Sequence, residues 1–248
     1  DRFMTQSDNG RYGACVGAID WVAGVLFDEL KRQGLDEKTL VVFTSDNGGR
    51  AREGGSNAPL NGRKGTTWEG GQRVACIMRW PGVVPAGTEC SQVVSSLEFM
   101  PTFAALAGTE APQDRIIDGS DISALIKGDP DAPTPRESFF YYFKDQLDAV
   151  RSGKWKLFMR RRDEDVQELY DLEADIGETT NLYGEHPGVV ADLTALIEAC
   201  REDLGDSATG AAGAHCRPIG QVDNPKPLTE YHPEHPYIIA MYDLAQIG

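Results

Sequence analysis

The chain has 248 residues, with 24 Lys and Arg against 39 Asp and Glu, for a formal net charge of −15. That balance excludes a partner gripped through broad basic surface charge, nucleic acid above all. Hydrophobic residues are 40% and charged residues 25%, ordinary globular usage that excludes global disorder and leaves room for one large core or two small ones.

No stretch approaches the roughly 20 consecutive apolar residues of a membrane span. The opening Asp1-Arg2-Phe3 is not the basic start and apolar run of a secretory leader. Residues 14–33 place Val16, Ile19, Val22, Leu26 and Leu30 at helical spacing and stop at Gly34, which predicts an amphipathic helix. Thr39-Leu40-Val41-Val42-Phe43-Thr44-Ser45 is β-branched and apolar on both faces, the pattern of a central strand in a parallel sheet. From residue 46 to 71 apolar periodicity vanishes and Gly, Asn and charge dominate. A structureless loop of that length inside a compact domain is usually functional or disordered.

A second strand is expected over residues 74–80, ended by Pro81-Gly82. A helix is expected over 97–107, with Ser95 or Ser96 as N-cap and Gly108 as stop. Residues 109–137, rich in Pro, Asp and Gly, read as a connection. Strands follow over 138–143, 149–159 (bent at Ser152-Gly153) and 167–172, and the change from βα alternation to consecutive strands predicts a small antiparallel sheet. Residues 189–204, with Val190, Leu193, Ile197 and Leu204 on one side, predict a helix, and 205–248 read as an extended surface tail.

Five scattered cysteines have no C-x-x-C spacing. Cys15 and Cys76 sit in apolar runs and are expected to be buried thiols; Cys200 and Cys216, with a polar loop between them, are the pair most compatible with a disulfide. His186 and His215 are expected to face solvent. The prolines around His232 and His235 argue against a zinc pair. Arg160-Arg161-Arg162 followed by Asp163-Glu164-Asp165 reads as a solvated hairpin tip whose charges compensate.

Two places carry chemistry. Asp46-Asn47 follows a strand directly and offers a carboxylate and an amide carbonyl, hard oxygens suited to Ca²⁺ or Mg²⁺ at the carboxyl end of a sheet; Asp-Asn-Gly also spells a common turn. Lys64, between Gly62, Arg63 and Gly65, is a point charge for an oxyanion in a loop whose glycines permit close approach. The alternative is a flexible basic surface loop. The spacing is not that of a P-loop, and no nucleophile elbow is present.

Taken together, residues 13–20, Leu40-Val41-Val42-Phe43-Thr44-Ser45-Asp46-Asn47-Gly48-Gly49, residues 59–71 with Lys64-Gly65-Thr66-Thr67-Trp68-Glu69-Gly70-Gly71, Trp80-Pro81-Gly82, Glu168-Leu169-Tyr170-Asp171-Leu172 and Glu178-Thr179-Thr180-Asn181-Leu182 resemble the C-terminal half of a type I, formylglycine-dependent sulfatase. The nearest branch is that of arylsulfatase A and N-acetylgalactosamine-6-sulfatase. The resemblance implies an α/β, alkaline-phosphatase-like fold. Residues 1–137 would be the C-terminal part of its catalytic domain, a mostly parallel sheet with flanking helices. Residues 138–204 would be a small subdomain with an antiparallel sheet and a helix, and 205–248 a tail.

It further implies a Ca²⁺-dependent sulfuric ester hydrolase for a sulfated small molecule or sulfated carbohydrate, with export or the lysosome as its setting. Asp46 and Asn47 would be Ca²⁺ ligands, Mg²⁺ fitting less well, and Lys64 would contact the sulfate and the bridging ester oxygen. Two features depart from the family pattern. The Cys/Ser-x-Pro-x-Arg motif that yields formylglycine does not occur in this chain, and neither do the family's first metal-binding Asp pair and active-site histidines. The expectation is therefore a chain that is inactive alone, partnered by an N-terminal half of the same protein and exposing a sheet edge which that half covers. The alternatives are a phosphoester or phosphonate hydrolase of the same superfamily, and a non-catalytic remnant.

Overall fold

The computed structural model describes residues 2–225. The chain opens with helix α1, Gly10–Arg32, closed by Lys31 and Arg32 in its last turn, where cations suit the negative end of the helix dipole. Strand β1, Val41–Thr44, runs into the long loop. A single helical turn, α2, Glu69–Gln72, precedes β2, Cys76–Arg79. The two strands pair antiparallel, with Val41 opposite Arg79 and Thr44 opposite Cys76, so β1's neighbour among the described residues is not the parallel one its apolar pattern suggested. The reason is the connection: it leaves and re-enters at the same end of the strands, whereas a parallel partner needs a crossover to the opposite end. Arg79 donates to both Asp36 carboxylate oxygens at 2.7 and 3.0 Å, and the Trp80 indole donates to Glu37 O. These bonds anchor β2 to the turn that follows α1.

Helix α3, Phe99–Leu106, is entered through a 3-10 turn at Ser96–Glu98 whose Ser95 and Glu98 form a reciprocal capping box. Glu98 is fully buried and also pairs with Arg136. The Thr102 hydroxyl accepts from Ile122 N, which ties α3 to the short helix α4, Ser123–Ile126. The apolar stripe of α1 does not pack as its periodicity implies: Val16, Ile19 and Leu26 are 51%, 53% and 58% exposed. Phe43, Ile77, Met100 and Phe103 are exposed as well. No helix of the described residues is long and apolar enough to cross a membrane.

The densest packing lies C-terminal. Strands β3, Ser138–Phe143, β4, Gln146–Ser152, β5, Trp155–Arg161, and β6, Glu164–Asp171, form an antiparallel meander in that order. What read as one bent strand over 149–159 is two strands, because Gly153 at φ +54° turns the chain back as a hairpin. Helix α5, Pro187–Leu204, covers one face, where Leu147, Val150, Leu157, Leu169, Leu193, Ile197 and Cys200 form a core. Each such side chain contributes roughly 1.5–3 kcal/mol on full burial. The other face buries Tyr141, Ala149, Phe158, Tyr170 and Leu172, and is closed by Trp68 from the long loop.

All five cysteines are free thiols, which corrects the proposed Cys200–Cys216 disulfide. Cys200 is buried on the inner face of α5 with its sulfur 3.4 Å from the Tyr142 hydroxyl. Cys15 and Cys76 are exposed rather than buried, because α1 and the β1–β2 pair leave their apolar faces open. His186 is not free in solvent: its ring lies 4.8 Å from that of Trp155.

Residues 205–215 are no loose tail. Asp206 is buried, bridges to Ala211, receives Leu147 N and pairs with Arg201, while Ala214 and His215 bond back to α5. Residues 216–225 belong to a separate unit and are exposed, without helix or strand. The remainder of the predicted tail, including His232 and His235, lies outside the described residues.

Candidate functional site

The end of β1 and the Lys64 loop are stitched together through their backbones. Gly48 N donates to Gly71 O at 3.0 Å, and Lys64 N to Gly49 O at 3.3 Å. The Asn57 amide clamps the same junction, accepting from Gly49 N at 2.8 Å and donating to Gly49 O and Gly62 O. This closeness is why glycines occur here. A Cβ on Gly48 would stand 1.8 Å from Gly70 O, and one on Gly71 2.2 Å from Thr66 O. The turn that presents Lys64 is closed by the Thr66 hydroxyl, which binds both Arg63 O and Arg63 N.

Asp46 and Lys64 are exposed and Asn47 is half-buried. Among the described residues, none of these three side chains has a hydrogen-bond or ion-pair partner, although many of the chain's other charges are paired. The structure thus brings a free carboxylate and amide and a free ammonium onto adjoining, glycine-locked segments. Asp46 and Asn47 supply oxygens of the kind Ca²⁺ takes, but Ca²⁺ needs 6–8 ligands. Among the described residues no group of three or more His, Cys, Asp or Glu side chains gathers to hold a metal. Their fit is to part of a coordination shell.

Beneath the loop lies a buried charge cluster that local sequence gave no reason to expect. Lys156, fully buried on β5, donates to Thr67 O at 2.8 Å and Glu69 Oε1 at 3.0 Å. It also lies 2.8 Å from Glu178 Oε1, an ion pair that lacks hydrogen-bond geometry. Its ammonium sits 4.0 Å from the centre of the Tyr141 ring. Glu69 further receives the Tyr141 hydroxyl and Arg151, and Glu178 accepts from Glu69 N. Burial pushes the Glu69 carboxyl up, but Lys156, Tyr141 and Arg151 together hold it below the ordinary range. At Glu178 burial prevails and the carboxyl is raised. Because both Thr67 O and Glu69 N are held, the cluster fixes the frame on which Lys64 stands.

The 160–165 stretch is likewise more than a solvated tip. Arg162 at φ +57° turns the β5–β6 hairpin and donates to Gly65 O at 3.1 Å, and Arg161 lies over the Trp68 ring at 4.9 Å. Only Arg160–Asp165 behaves as the expected compensating pair. Reading Trp68 and Glu69 as elements of docking was beyond periodicity, since their partners lie far along the chain.

Residues 2–109 match the sulfatase family, and residues 63–203 match the family described as N-sulphoglucosamine sulphohydrolase, C-terminal. Mouse (Mus musculus) steryl-sulfatase is 40% identical over 168 residues, which is 63% of this chain and 27% of that protein. Arylsulfatases and an N-acetylgalactosamine-6-sulfatase are also among the relatives. Of solved structures, Ps i-CgsB in complex with k-i-k-neocarrahexaose is 33% identical with a TM-score of 0.69, covering 80% of this chain and 46% of that one. BT4656 in complex with its substrate D-glucosamine-2-N,6-O-disulfate is 26% identical with a TM-score of 0.63, covering 77% and 39%. The chain spans less than half the length of these relatives. The first match covers the glycine-locked junction and the second the four-stranded sheet and helix beneath it; the chain belongs to the sulfatase family, of which it contains the C-terminal region of the alkaline-phosphatase-like fold.

Proposed function

We propose that this chain is the C-terminal part of a sulfuric ester hydrolase that cleaves sulfate monoesters, with a sulfated carbohydrate as the substrate class best supported by its structural relatives. The observation that carries this reading is the convergence of three unpartnered side chains, Asp46, Asn47 and Lys64, on backbones locked to one another. Asp46 and Asn47 would hold Ca²⁺ by their side-chain oxygens, completing its shell with ligands from elsewhere in the protein. Such an ion, when bound, supplies positive charge and Lewis acidity at a sulfate oxygen.

Lys64 performs the part that this chain carries alone. Cleavage of the S–O bond builds negative charge on the bridging ester oxygen, and an ammonium held beside it lowers the barrier by charge stabilisation. The clamp at Asn57 and the buried Lys156 cluster fix the backbone on either side of Lys64, so the loop that carries the ammonium needs little rearrangement. A nucleophile is not supplied by any Cys/Ser-x-Pro-x-Arg motif of this chain, and formylglycine borne by another part of the protein fits that role. The isolated chain is then inactive toward p-nitrophenyl sulfate.

The test uses the protein encoded by the intact gene. Lys64→Ala should lower kcat/KM for p-nitrophenyl sulfate by roughly 10²–10³-fold, the usual loss for one group that stabilises developing charge. Undiminished turnover by that variant would overturn the role of Lys64. Preference for the phosphate or phosphonate ester over the sulfate would move the assignment to that class of hydrolase, and no turnover of any ester would leave a non-catalytic member of the family.

A further inference from the structure

Glycine follows three of the chain's asparagines, Asn9, Asn47 and Asn61. Such a pair is open to self-attack, because no side chain shields the nitrogen of the glycine. In that reaction the glycine nitrogen loses its proton and bonds to the asparagine Cγ. The Cγ–Nδ2 bond breaks, the nitrogen leaves as ammonia with that proton, and a cyclic imide remains. Water then opens the imide at one carbonyl or the other, giving aspartate or isoaspartate. Three local conditions govern the rate: a glycine nitrogen that is not already donating, a side chain free to turn onto it, and nearby charge that favours the nitrogen anion.

The fold meets these conditions unequally. Gly48 is buried, and its nitrogen donates to Gly71 O at 3.0 Å. The Asn57 clamp on Gly49 holds the same segment, and the adjoining Asp46 carboxylate opposes a second negative charge. Asn47 can therefore react only after that junction opens. Asn9 has its side chain pinned, Nδ2 donating to Gly54 O at 3.0 Å.

Asn61 satisfies all three. Its side chain and the Gly62 nitrogen have no hydrogen-bond partner among the described residues. Both residues are half-buried in the wall of an open cavity of about 420 Å³, which leaves room for the side chain to turn and for water to enter. The carbonyl of the same peptide unit, Asn61 O, accepts from Gly70 N at 2.6 Å. A bond to that oxygen draws electrons out of the amide and makes its N–H a stronger acid. Arg63 and Lys64 follow directly, exposed and with side chains unpartnered among the described residues, and their charges stabilise the nitrogen anion.

We propose that Asn61 is a site of spontaneous deamidation, and that its conversion plants a carboxylate on the Lys64 loop, where the free ammonium takes it as a partner. The isoaspartate product also lengthens the main chain by a carbon between two held points, Asn61 O on Gly70 N and Gly62 O on the Asn57 amide. Both products thus act on the one loop that presents Lys64, and the glycine-locked junction at Asn47 is spared. The modification stands by itself; only its effect on turnover rests on the sulfatase reading.

The test is a tryptic peptide map by mass spectrometry, taken during incubation of the full chain at mildly alkaline pH without added divalent cations. The three pairs fall in separate peptides, residues 3–11, 39–50 and 53–63, so a single map reads them all. Asn61 should convert at least tenfold faster than Asn47, and Asn61→Gln should abolish the conversion in its peptide. In guanidinium the two sites should convert at rates within about threefold of each other, because the fold no longer distinguishes them. Asn57→Ala, which loosens the clamp on Gly49, should speed Asn47 and narrow the gap. A folded chain in which Asn61 stays an amide, or in which Asn47 converts as fast, overturns the site.

The effect on Lys64 is read on the same chain by NMR titration of its ¹³C-methylated lysines, with Lys64→Ala to assign the resonance. Asn61→Asp should move the Lys64 titration to higher pH, the direction in which a neighbouring carboxylate shifts an ammonium; an unmoved titration overturns that effect. In the protein encoded by the intact gene, Asn61→Asp should lower kcat/KM for p-nitrophenyl sulfate about tenfold at low salt and less at high salt. Absence of turnover in the parent protein would sink the hydrolase reading and leave the peptide map and the titration to decide the modification.

Discussion

Replacing Lys156 by Met tests whether the buried cluster holds the candidate site. The ammonium lies 3.0 Å from Glu69 and 2.8 Å from Glu178, and all three side chains are at most 2% exposed. At an effective dielectric constant near 20, each contact has a gross attraction of about 5–6 kcal/mol. Desolvating the ions costs several kcal/mol apiece, so most of that attraction is cancelled in the intact protein. Lys156→Met keeps the apolar stem but strands two like charges with only Arg151, 3.2 Å from Glu69, to compensate. Breaking a buried pair in this way costs roughly 3–5 kcal/mol, a large share of the ~5–15 kcal/mol typical of a domain.

The sign of the pH dependence follows from the same groups. Lys156 now draws both carboxyls down, leaving Glu69 lowered and Glu178 raised; without it both move up, and an upward move in the folded state costs stability as pH climbs past the unfolded value. The deficit of Lys156→Met should therefore be largest near neutral pH and shrink on acidification toward about pH 5. Urea titrations followed by tryptophan fluorescence read it, and amide hydrogen exchange should show Glu69 N, which donates to Glu178, losing protection. A deficit within the ~0.5 kcal/mol usual for surface changes, or one identical at both pH values, would refute the reasoning. Adding Glu69→Gln and Glu178→Gln to the variant should restore part of the stability.

Gly48→Ala forces a Cβ to within 1.8 Å of Gly70 O and should cost roughly 2–4 kcal/mol in a urea melt. Gly65→Ala, at φ +80° in open space, should cost only about 1–2 kcal/mol. Asn57→Ala removes three hydrogen bonds across the junction; at about 0.5–1.5 kcal/mol each it should lose roughly 2–4 kcal/mol, with faster exchange at the Lys64 amide. Arg79 holds the Asp36 carboxyl below the ordinary range, chiefly through their hydrogen bonds. That contribution is present above the unfolded pKa and is lost as pH falls through the folded one. Acid titration monitored by circular dichroism should accordingly show a flatter low-pH limb for Asp36→Asn than for the parent chain.

What the amino-acid order determined was whatever depends on neighbours three, four or two positions away. The spans of α1, α3 and α5 were legible from apolar spacing and their caps, and Gly108 marked the end of α3 as a stop. The glycine-dense run after β1 pointed to Asp46, Asn47 and Lys64, because a long loop with no apolar period has no structural reason to persist in a compact domain. Tertiary structure alone decided the rest. Lys156, Glu69 and Glu178 look in sequence like surface charges, yet they meet across separations of 87 and 109 positions and are among the most buried groups in the chain. The β-bulge at Asp148, where Tyr141 pairs with Ala149 and Tyr142 with Leu147, depends on the register between β3 and β4, which a one-residue difference sets and no periodicity reveals. In α1 the reverse holds: the stripe was legible, but whether it is covered depends on which layers stand opposite. Spacing encodes which face of an element is apolar, and only the packing of distant segments decides what that face, or a charge beside it, finally touches.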